Sequence, residues 1–137
     1  MGLSFHPKPA TIVICDYSSG FREPEMVKRR PAIIVSPRLR RRGGLCSVVP
    51  LSTTEPEHIM PYHYLLKFEK PLPHPWDFEE MWVKADMIST VSLKRLDLIR
   101  QKREPGQPRK YLQLRIKDED FNNIKSSVLH GLGIEIS

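Results

Sequence analysis

Three short segments carry side chains that could act on a phosphodiester. In the first, Arg30 follows Lys28 and Arg29 and directly precedes Pro31 and the apolar run 32–35. This pattern predicts a guanidinium held at the start of a buried strand. Such a group can clamp a phosphate through two hydrogen bonds and stabilise the charge that develops at phosphorus. A solvated strand end is the simpler interpretation, and the segment alone does not decide between the two.

The second segment is an apolar strand that ends in hydroxyl groups. The run 47–51 is followed by Ser52, Thr53 and Thr54. Hydroxyl groups at a strand end can hydrogen-bond a phosphate oxygen, position a ribose, or satisfy the amides of a turn. Satisfying turn amides is the commonest of these roles, so this segment indicates a phosphate site only in combination with the segment that contains Arg30.

The third segment runs from Trp82 to Ile88 and reads as a strand. A period of two predicts Lys84 and Asp86 on one face, with apolar side chains on the other. Two opposite charges near an indole could serve acid–base chemistry, or they could form an ordinary surface ion pair of little energetic value.

Signals for a metal or a cofactor are weak. Glu57, His58 and His63 have a spacing that suits neither a helix face nor a strand face. Gly43 and Gly44 lack the strand–loop–helix context and the Gly–Lys pair of a phosphate-binding loop. We therefore expect no metal site and no cofactor.

The elements that must position these residues are mostly strands. Thirteen prolines divide the first two-thirds of the chain into short pieces. Residues 118–131 place acids first, apolar residues at helical spacing and a glycine at the end, which predicts one amphipathic helix. A turn at 37–44 predicts a hairpin tip. The expected fold is mainly β with helices (α+β), a small curled sheet or barrel with strands near 11–15, 32–35, 47–51, 62–68 and 81–91, the first two buried on both faces.

Size and charge narrow the function further. The chain has 137 residues, a formal charge of +6 and two cysteines, Cys15 and Cys46, which read as reduced core residues in one domain, 1–137. The positive charge favours a polyanionic partner, and its densest cluster is the tip arginines Arg38, Arg40, Arg41 and Arg42. Apolar runs are too short to span a membrane and no signal peptide is recognisable, so we expect a cytoplasmic protein.

Taken in order, the segments resemble a known family. Asp16, Gly20 and Glu25 are followed by Lys-Arg-Arg-Pro-Ala-Ile-Ile-Val, then Val-Val-Pro-Leu-Ser-Thr-Thr, then Lys-Ala-Asp-Met-Ile-Ser-Thr-Val. The set resembles the MazF/PemK (Kid) family of type II toxin–antitoxin toxins over residues 10–133. The resemblance implies an SH3-like small barrel of the PemK/CcdB type, a homodimer, metal-independent cleavage of single-stranded RNA, and an antitoxin partner whose disordered tail covers the RNA groove.

The resemblance also implies roles for individual residues. Arg30 matches the family's catalytic arginine, Ser52 the hydroxyl residue of the second motif, and Asp86 the acid of the third. Three features depart from the family: Lys84 stands where an arginine is usual, Ala-Asp-Met replaces Cys-Asp-Gln, and the loop from Gly20 to Arg30 is longer and lacks a histidine. The side chains expected to bind RNA are Lys28, Arg29, Thr53, Lys84, Arg38, Arg40, Arg41 and Arg42.

The chemistry implied is transesterification. The 2′-hydroxyl of the RNA attacks the adjacent phosphorus and leaves a cyclic phosphate and a 5′-hydroxyl, so the protein supplies charge stabilisation and proton transfer. Arg30 would stabilise charge, Ser52 would position the phosphate, and Asp86 with Lys84 would act in acid–base chemistry or base recognition. Two alternatives remain: a gyrase poison of the CcdB type, which the non-aromatic ending Gly-Ile-Glu-Ile-Ser disfavours, and an RNA-binding module without turnover.

Overall fold

The fold is mainly β with one C-terminal helix, as the sequence predicts. The computed structural model describes residues 2–135; Ile136 and Ser137, which belong to the ending considered above, lie outside them. Two 3-10 turns, Ala85–Met87 and Leu93–Arg95, interrupt the second half of the chain. The elements are β1 (Thr11–Asp16), β2 (Arg29–Ile34), β3 (Leu45–Ser52), β4 (His63–Lys67), β5 (Glu80–Lys84), β6 (Ser89–Ser92), β7 (Leu96–Asp97), β8 (Ile99–Arg100), β9 (Tyr111–Leu112), β10 (Leu114–Arg115) and α1 (Asp118–Gly131).

The central sheet curls because the segment that contains β6 and β7 pairs with both β3 and β1. β1, β2 and β3 are consecutive antiparallel neighbours, and the tip at 37–44 joins β2 to β3 as predicted. β6 then pairs with β3, and β7 pairs with β1. The turn Leu93–Arg95 lies between them, so within residues 2–135 the ladders form a curled sheet without closing into a continuous hydrogen-bonded barrel.

The strands β1, β2 and β3 are buried on both faces, as their unbroken apolar runs predict. The face inside the curl forms one core from Val13, Cys15, Tyr17, Ala32, Ile34 and Val48, together with Val91, Leu93 and Leu96. The opposite face packs under α1, β4 and β5 and includes Ile12, Ile14, Ile33, Val49, Leu51, Leu66, Val83, Ile124 and Val128. Both faces are used, so the register of β2 and β3 is strongly specified.

The helix α1 spans residues 118–131, in agreement with the prediction. Three acidic residues occupy its first turn, where they interact favourably with the helix dipole. Gly131, which the sequence pattern places just past the helix end, is the last residue of the helix. A Cβ atom there would lie 2.9 Å from the Cα of Asp86, so the glycine allows the last turn to pack directly against the 3-10 turn Ala85–Met87.

The prediction of one strand over residues 81–91 was wrong. β3 pairs with β5 through Leu51 and Val83 and with β6 through Val48 and Ser89, and the register shifts by three residues between these ladders. The three extra residues form the 3-10 turn Ala85–Met87. Lys84 and Asp86 therefore do not share a strand face.

Both cysteines are free and buried, as predicted. Burial raises the pKa of the Cys15 and Cys46 thiols to about 11, so they stay protonated at neutral pH. In the described part of the chain, no helix combines the length and apolarity needed to cross a membrane.

Candidate active site

Arg30 and Ser52 lie in the same groove, which we call the Arg30 groove. Residues Ala32 and Pro50 are partners in the β2–β3 ladder, and continuing this register by two residues brings Arg30 level with Ser52. The groove has a volume of about 290 Å³. Its lining residues are Lys28, Arg29, Arg30, Pro31, Leu51, Ser52, Thr53, Thr54, Pro75, Trp76, Phe78 and Met81.

Arg30 is anchored as the sequence predicts. It lies opposite Cys15 in the β1–β2 ladder and is half-buried. Its Nε is buried and has no hydrogen-bond partner within residues 2–135, and the hydroxyl of the buried Tyr17 is likewise unpartnered. Burial lowers the pKa of the Arg30 guanidinium, because desolvation disfavours the charged form. The guanidinium is thus a partly desolvated cation whose Nε–H has no acceptor among the described residues.

Ser52 serves the turn that follows β3 and keeps a free donor. Its side chain is buried, and its Oγ accepts a hydrogen bond of 3.1 Å from the Thr54 backbone N–H. A hydroxyl can accept and donate at the same time. The turn therefore orients Oγ, while the hydroxyl hydrogen can point toward a bound phosphate.

The electrostatics of the Arg30 groove favour an anion. Three of its lining residues, Lys28, Arg29 and Arg30, are cations, and among residues 2–135 no Asp or Glu lines it. Arg29 Nη2 donates to Asp97 Oδ2 at 3.1 Å; the Arg29 side chain is about half exposed, and Asp97 is partly buried. Because the Arg29 end of this ion pair is half exposed, the pair contributes only modestly to stability, and Arg29 can turn toward a ligand.

A second, larger groove adjoins the first and was missed by the sequence analysis. We call it the hairpin groove, since the β8–β9 hairpin supplies much of its wall; its volume is about 450 Å³. It shares Arg29, Pro75 and Trp76 with the Arg30 groove. Its other lining residues are Ile14, His74, Leu98, Arg100, Gln101, Lys102, Arg103 and Arg109.

A sequence signal for the hairpin groove existed. Residues 100–110 contain five Lys or Arg residues, a second basic cluster beside the arginines of the hairpin tip. The tip arginines, Arg38, Arg40, Arg41 and Arg42, are exposed and line neither groove. Only the β8–β9 pairing shows which of the two clusters stands beside Arg29 and Trp76.

The third predicted segment lies elsewhere on the subunit. Asp86 is exposed and lines a separate cavity of about 320 Å³ with Phe21 and Glu25. Lys84 is half-buried at the end of β5, opposite His63 in the β4–β5 ladder. Neither lines the Arg30 groove, because the 3-10 turn redirects the chain at this point. One subunit therefore assembles Arg30, Ser52 and Thr53, but not Asp86 or Lys84.

Within residues 2–135, no cluster of three or more His, Cys, Asp or Glu side chains could hold a metal ion. His63, one of the residues weighed as a ligand, has its Nδ1 3.0 Å from the Met60 backbone N–H, which donates to it. His63 thus helps to shape the turn that precedes β4.

Comparison with known proteins agrees with the fold. YifN of Escherichia coli (strain K12) is 27% identical over 118 residues, which cover 73% of this chain and 78% of YifN. A mycobacterial endoribonuclease solved in complex with its cognate antitoxin has a TM-score of 0.65 and 22% identity, over 96% of this chain and 100% of that one. MazF from Deinococcus radiodurans gives a TM-score of 0.61 and 15% identity, over 96% and 100% of the two chains.

These two structural similarities concern the fold. The family comparison extends to the sequence itself: residues 8–129 match the PemK-like, MazF-like toxins of type II toxin–antitoxin systems. The matched range contains β1, β2, β3 and every residue of both grooves. The chain therefore belongs to the family of PemK-like, MazF-like toxins of type II toxin–antitoxin systems.

Proposed function

We propose that this protein is an endoribonuclease toxin that cleaves single-stranded RNA in the cytoplasm without a metal ion. The observation that carries the proposal is the placement of the desolvated Arg30 guanidinium and the Ser52 hydroxyl in one groove lined by cations. The names of the similar solved structures, which include an endoribonuclease bound to its cognate antitoxin, support the same activity and an antitoxin partner.

The reaction needs no nucleophile from the protein. The ribose 2′-hydroxyl gives its proton to a general base and attacks the adjacent phosphorus; the bond to the 5′-oxygen breaks, and this oxygen takes a proton from a general acid. The products are a 2′,3′-cyclic phosphate and a 5′-hydroxyl. Arg30 stabilises the extra negative charge on the phosphoryl oxygens, since a donor held in a desolvated site loses little by reorganising. The Ser52 hydroxyl donates to one of these oxygens and fixes the phosphate beside Arg30.

The reaction also needs a general base and a general acid for proton transfer. Among the residues that the structure describes, no carboxylate and no imidazole lines the Arg30 groove. Asp86 remains a candidate acid–base residue only if a second subunit brings its cavity against this groove. We therefore propose that the active form is a homodimer. Arg30 itself is the candidate for delivering a proton to the leaving oxygen, because it lines the same groove as Ser52 and carries N–H donors.

The test uses purified protein, single-stranded RNA and EDTA, followed by mapping of the cleaved ends. We expect cuts at a short recognised sequence, each with a cyclic phosphate and a 5′-hydroxyl. A matched oligonucleotide with one 2′-deoxyribose at the cleavage position should bind equally well and resist cleavage. Cleavage of the deoxy substrate, or activity that disappears with EDTA, would refute the mechanism. RNA binding without cleavage would instead support the non-catalytic alternative.

A further inference from the structure

We infer that the hairpin groove holds the stretch of RNA next to the cleaved bond, with one base stacked on Trp76 and the neighbouring phosphates bound by the β8–β9 hairpin. This inference rests on the proposed function and names a binding site for the same substrate. Its starting point is continuity: Arg29 and Trp76 line both grooves, so a strand that leaves Arg30 passes directly into the hairpin groove.

The charge of the hairpin groove matches a phosphate backbone. Of the eleven described residues that line it, five are Lys or Arg, His74 is a sixth basic side chain, and none is Asp or Glu. Arg100 lies with its guanidinium 6.0 Å from the ring of the exposed Tyr111, and its Nε is buried without a partner in the described residues. Residues 101–110, which carry the other hairpin cations, are all exposed. These side chains can follow a flexible polyanion at little cost.

Trp76 supplies a surface for a base. Its side chain is partly buried against the core beneath the sheet, so the indole is held in place. The backbone around it is fixed as well, since the Trp76 N–H donates to Pro73 O and the Phe78 N–H donates to Trp76 O, both at 2.9 Å. A positively charged groove with an aromatic side chain on its wall is the usual arrangement for binding single strands. The indole distinguishes an RNA strand from an acidic peptide, which needs only the charges.

Fluorescence tests the stacking directly, because Trp76 and Trp82 are the two tryptophans of the chain. The Trp82→Phe variant leaves Trp76 as the emitter, and the Trp76→Phe variant leaves Trp82, which lines neither groove. The probe is a 30-nucleotide single-stranded RNA made uncleavable by 2′-O-methyl groups. We expect quenching in Trp82→Phe and none in Trp76→Phe. Equal quenching in both, or quenching by oligo-glutamate but not by RNA, would overturn the inference.

Two charge-matched variants test the phosphate contacts. One replaces Lys102, Arg103 and Arg109 by alanine; the other replaces the tip residues 40–42, also three arginines. Single strands release about 0.7 counterion per phosphate contact, so the hairpin variant should lower the slope of log K against log salt by about 2. Its affinity at moderate salt should fall about tenfold or more, clearly further than that of the tip variant. Equal losses in the two variants would show that net charge alone binds RNA, and would overturn the inference.

The outcomes separate this inference from the proposed function. If the wild-type protein cleaves RNA but the hairpin variant binds and cleaves like the wild type, the hairpin groove is not the binding site and the nuclease remains. If the wild-type protein cleaves no RNA, the proposed function fails, while the quenching and the salt slope still decide whether RNA occupies this groove. Circular dichroism and thermal unfolding of each variant check that it is folded.

Discussion

Replacement of Arg30 by alanine should remove activity and leave the fold intact. If Arg30 stabilises the charge on the phosphoryl oxygens, its loss should slow cleavage by about 10²- to 10³-fold, equivalent to ~3–4 kcal/mol of transition-state stabilisation. The cleavage rate of Arg30→Lys should lie between those of Arg30→Ala and the wild type. An ammonium group keeps the charge but cannot form the planar, two-pronged contact with phosphate.

The expected effect of Arg30→Ala on stability is small because two contributions oppose each other. The half-buried stem of Arg30 loses about 1 kcal/mol of packing, at ~0.8 kcal/mol per fully buried methylene. Removal of the buried Nε, which has no partner in the described residues, returns about 1 kcal/mol of desolvation cost. The free energy of unfolding should therefore change by less than about 1 kcal/mol.

The assay compares single-turnover cleavage of a mapped RNA in EDTA with urea unfolding of the same preparations. Arg115→Ala is the control, since Arg115 is an exposed strand arginine that donates to Pro9 O at 3.2 Å and lines neither groove. We expect wild-type cleavage from the control. Wild-type cleavage by Arg30→Ala would show that the catalytic site is elsewhere. A large loss of stability in that variant would show that Arg30 is a structural residue.

Three further predictions follow from the structure. Ser52→Ala removes the acceptor for the Thr54 N–H and the donor to phosphate. The free energy of unfolding should fall by about 1 kcal/mol, and cleavage should become about 10- to 100-fold slower. Ser52→Thr should retain most of the stability and of the activity; urea unfolding and cleavage rates check both. Gly131→Ala places a Cβ against the backbone of the neighbouring 3-10 turn and should lower stability by about 1–3 kcal/mol, and an unchanged melting temperature would contradict that packing. The pKa values of Cys15 and Cys46 rise from about 9 to about 11 on folding. The protonated thiols therefore make their full contribution to the free energy of unfolding below pH 9, and this contribution is lost as the pH rises toward 11. A thiol reagent at pH 8 should modify neither cysteine in the native protein and both in urea, and the Cys-to-Ala variants should lose less stability above pH 9 than the wild type.

Much of the fold could be predicted because its signals are local. The run 118–131 has helical periodicity, acids at its start and a glycine at its end, and α1 has these bounds. The unbroken apolar runs in β1 and β2 indicate strands buried on both faces, which the two cores confirm. The prediction of one strand over 81–91 was wrong because the alternation of its residues fits a single strand as well as it fits two strands joined by a 3-10 turn. The difference is a register shift against β3, which no local pattern records.

The sequence by itself was enough to predict a type of chemistry and two residues expected to carry it. Arg30 is a cation directly before Pro31 at the start of β2, and Ser52 is a hydroxyl residue at the end of β3. Strand propensity alone was therefore enough to predict where each of them lies. Only the tertiary structure decided which charges join them. The pairing of β8 with β9 sets a basic hairpin beside Trp76, and the turn Ala85–Met87 carries Asp86 to another cavity. Both outcomes depend on contacts between distant segments, whose free energy is absent from any short stretch of the chain.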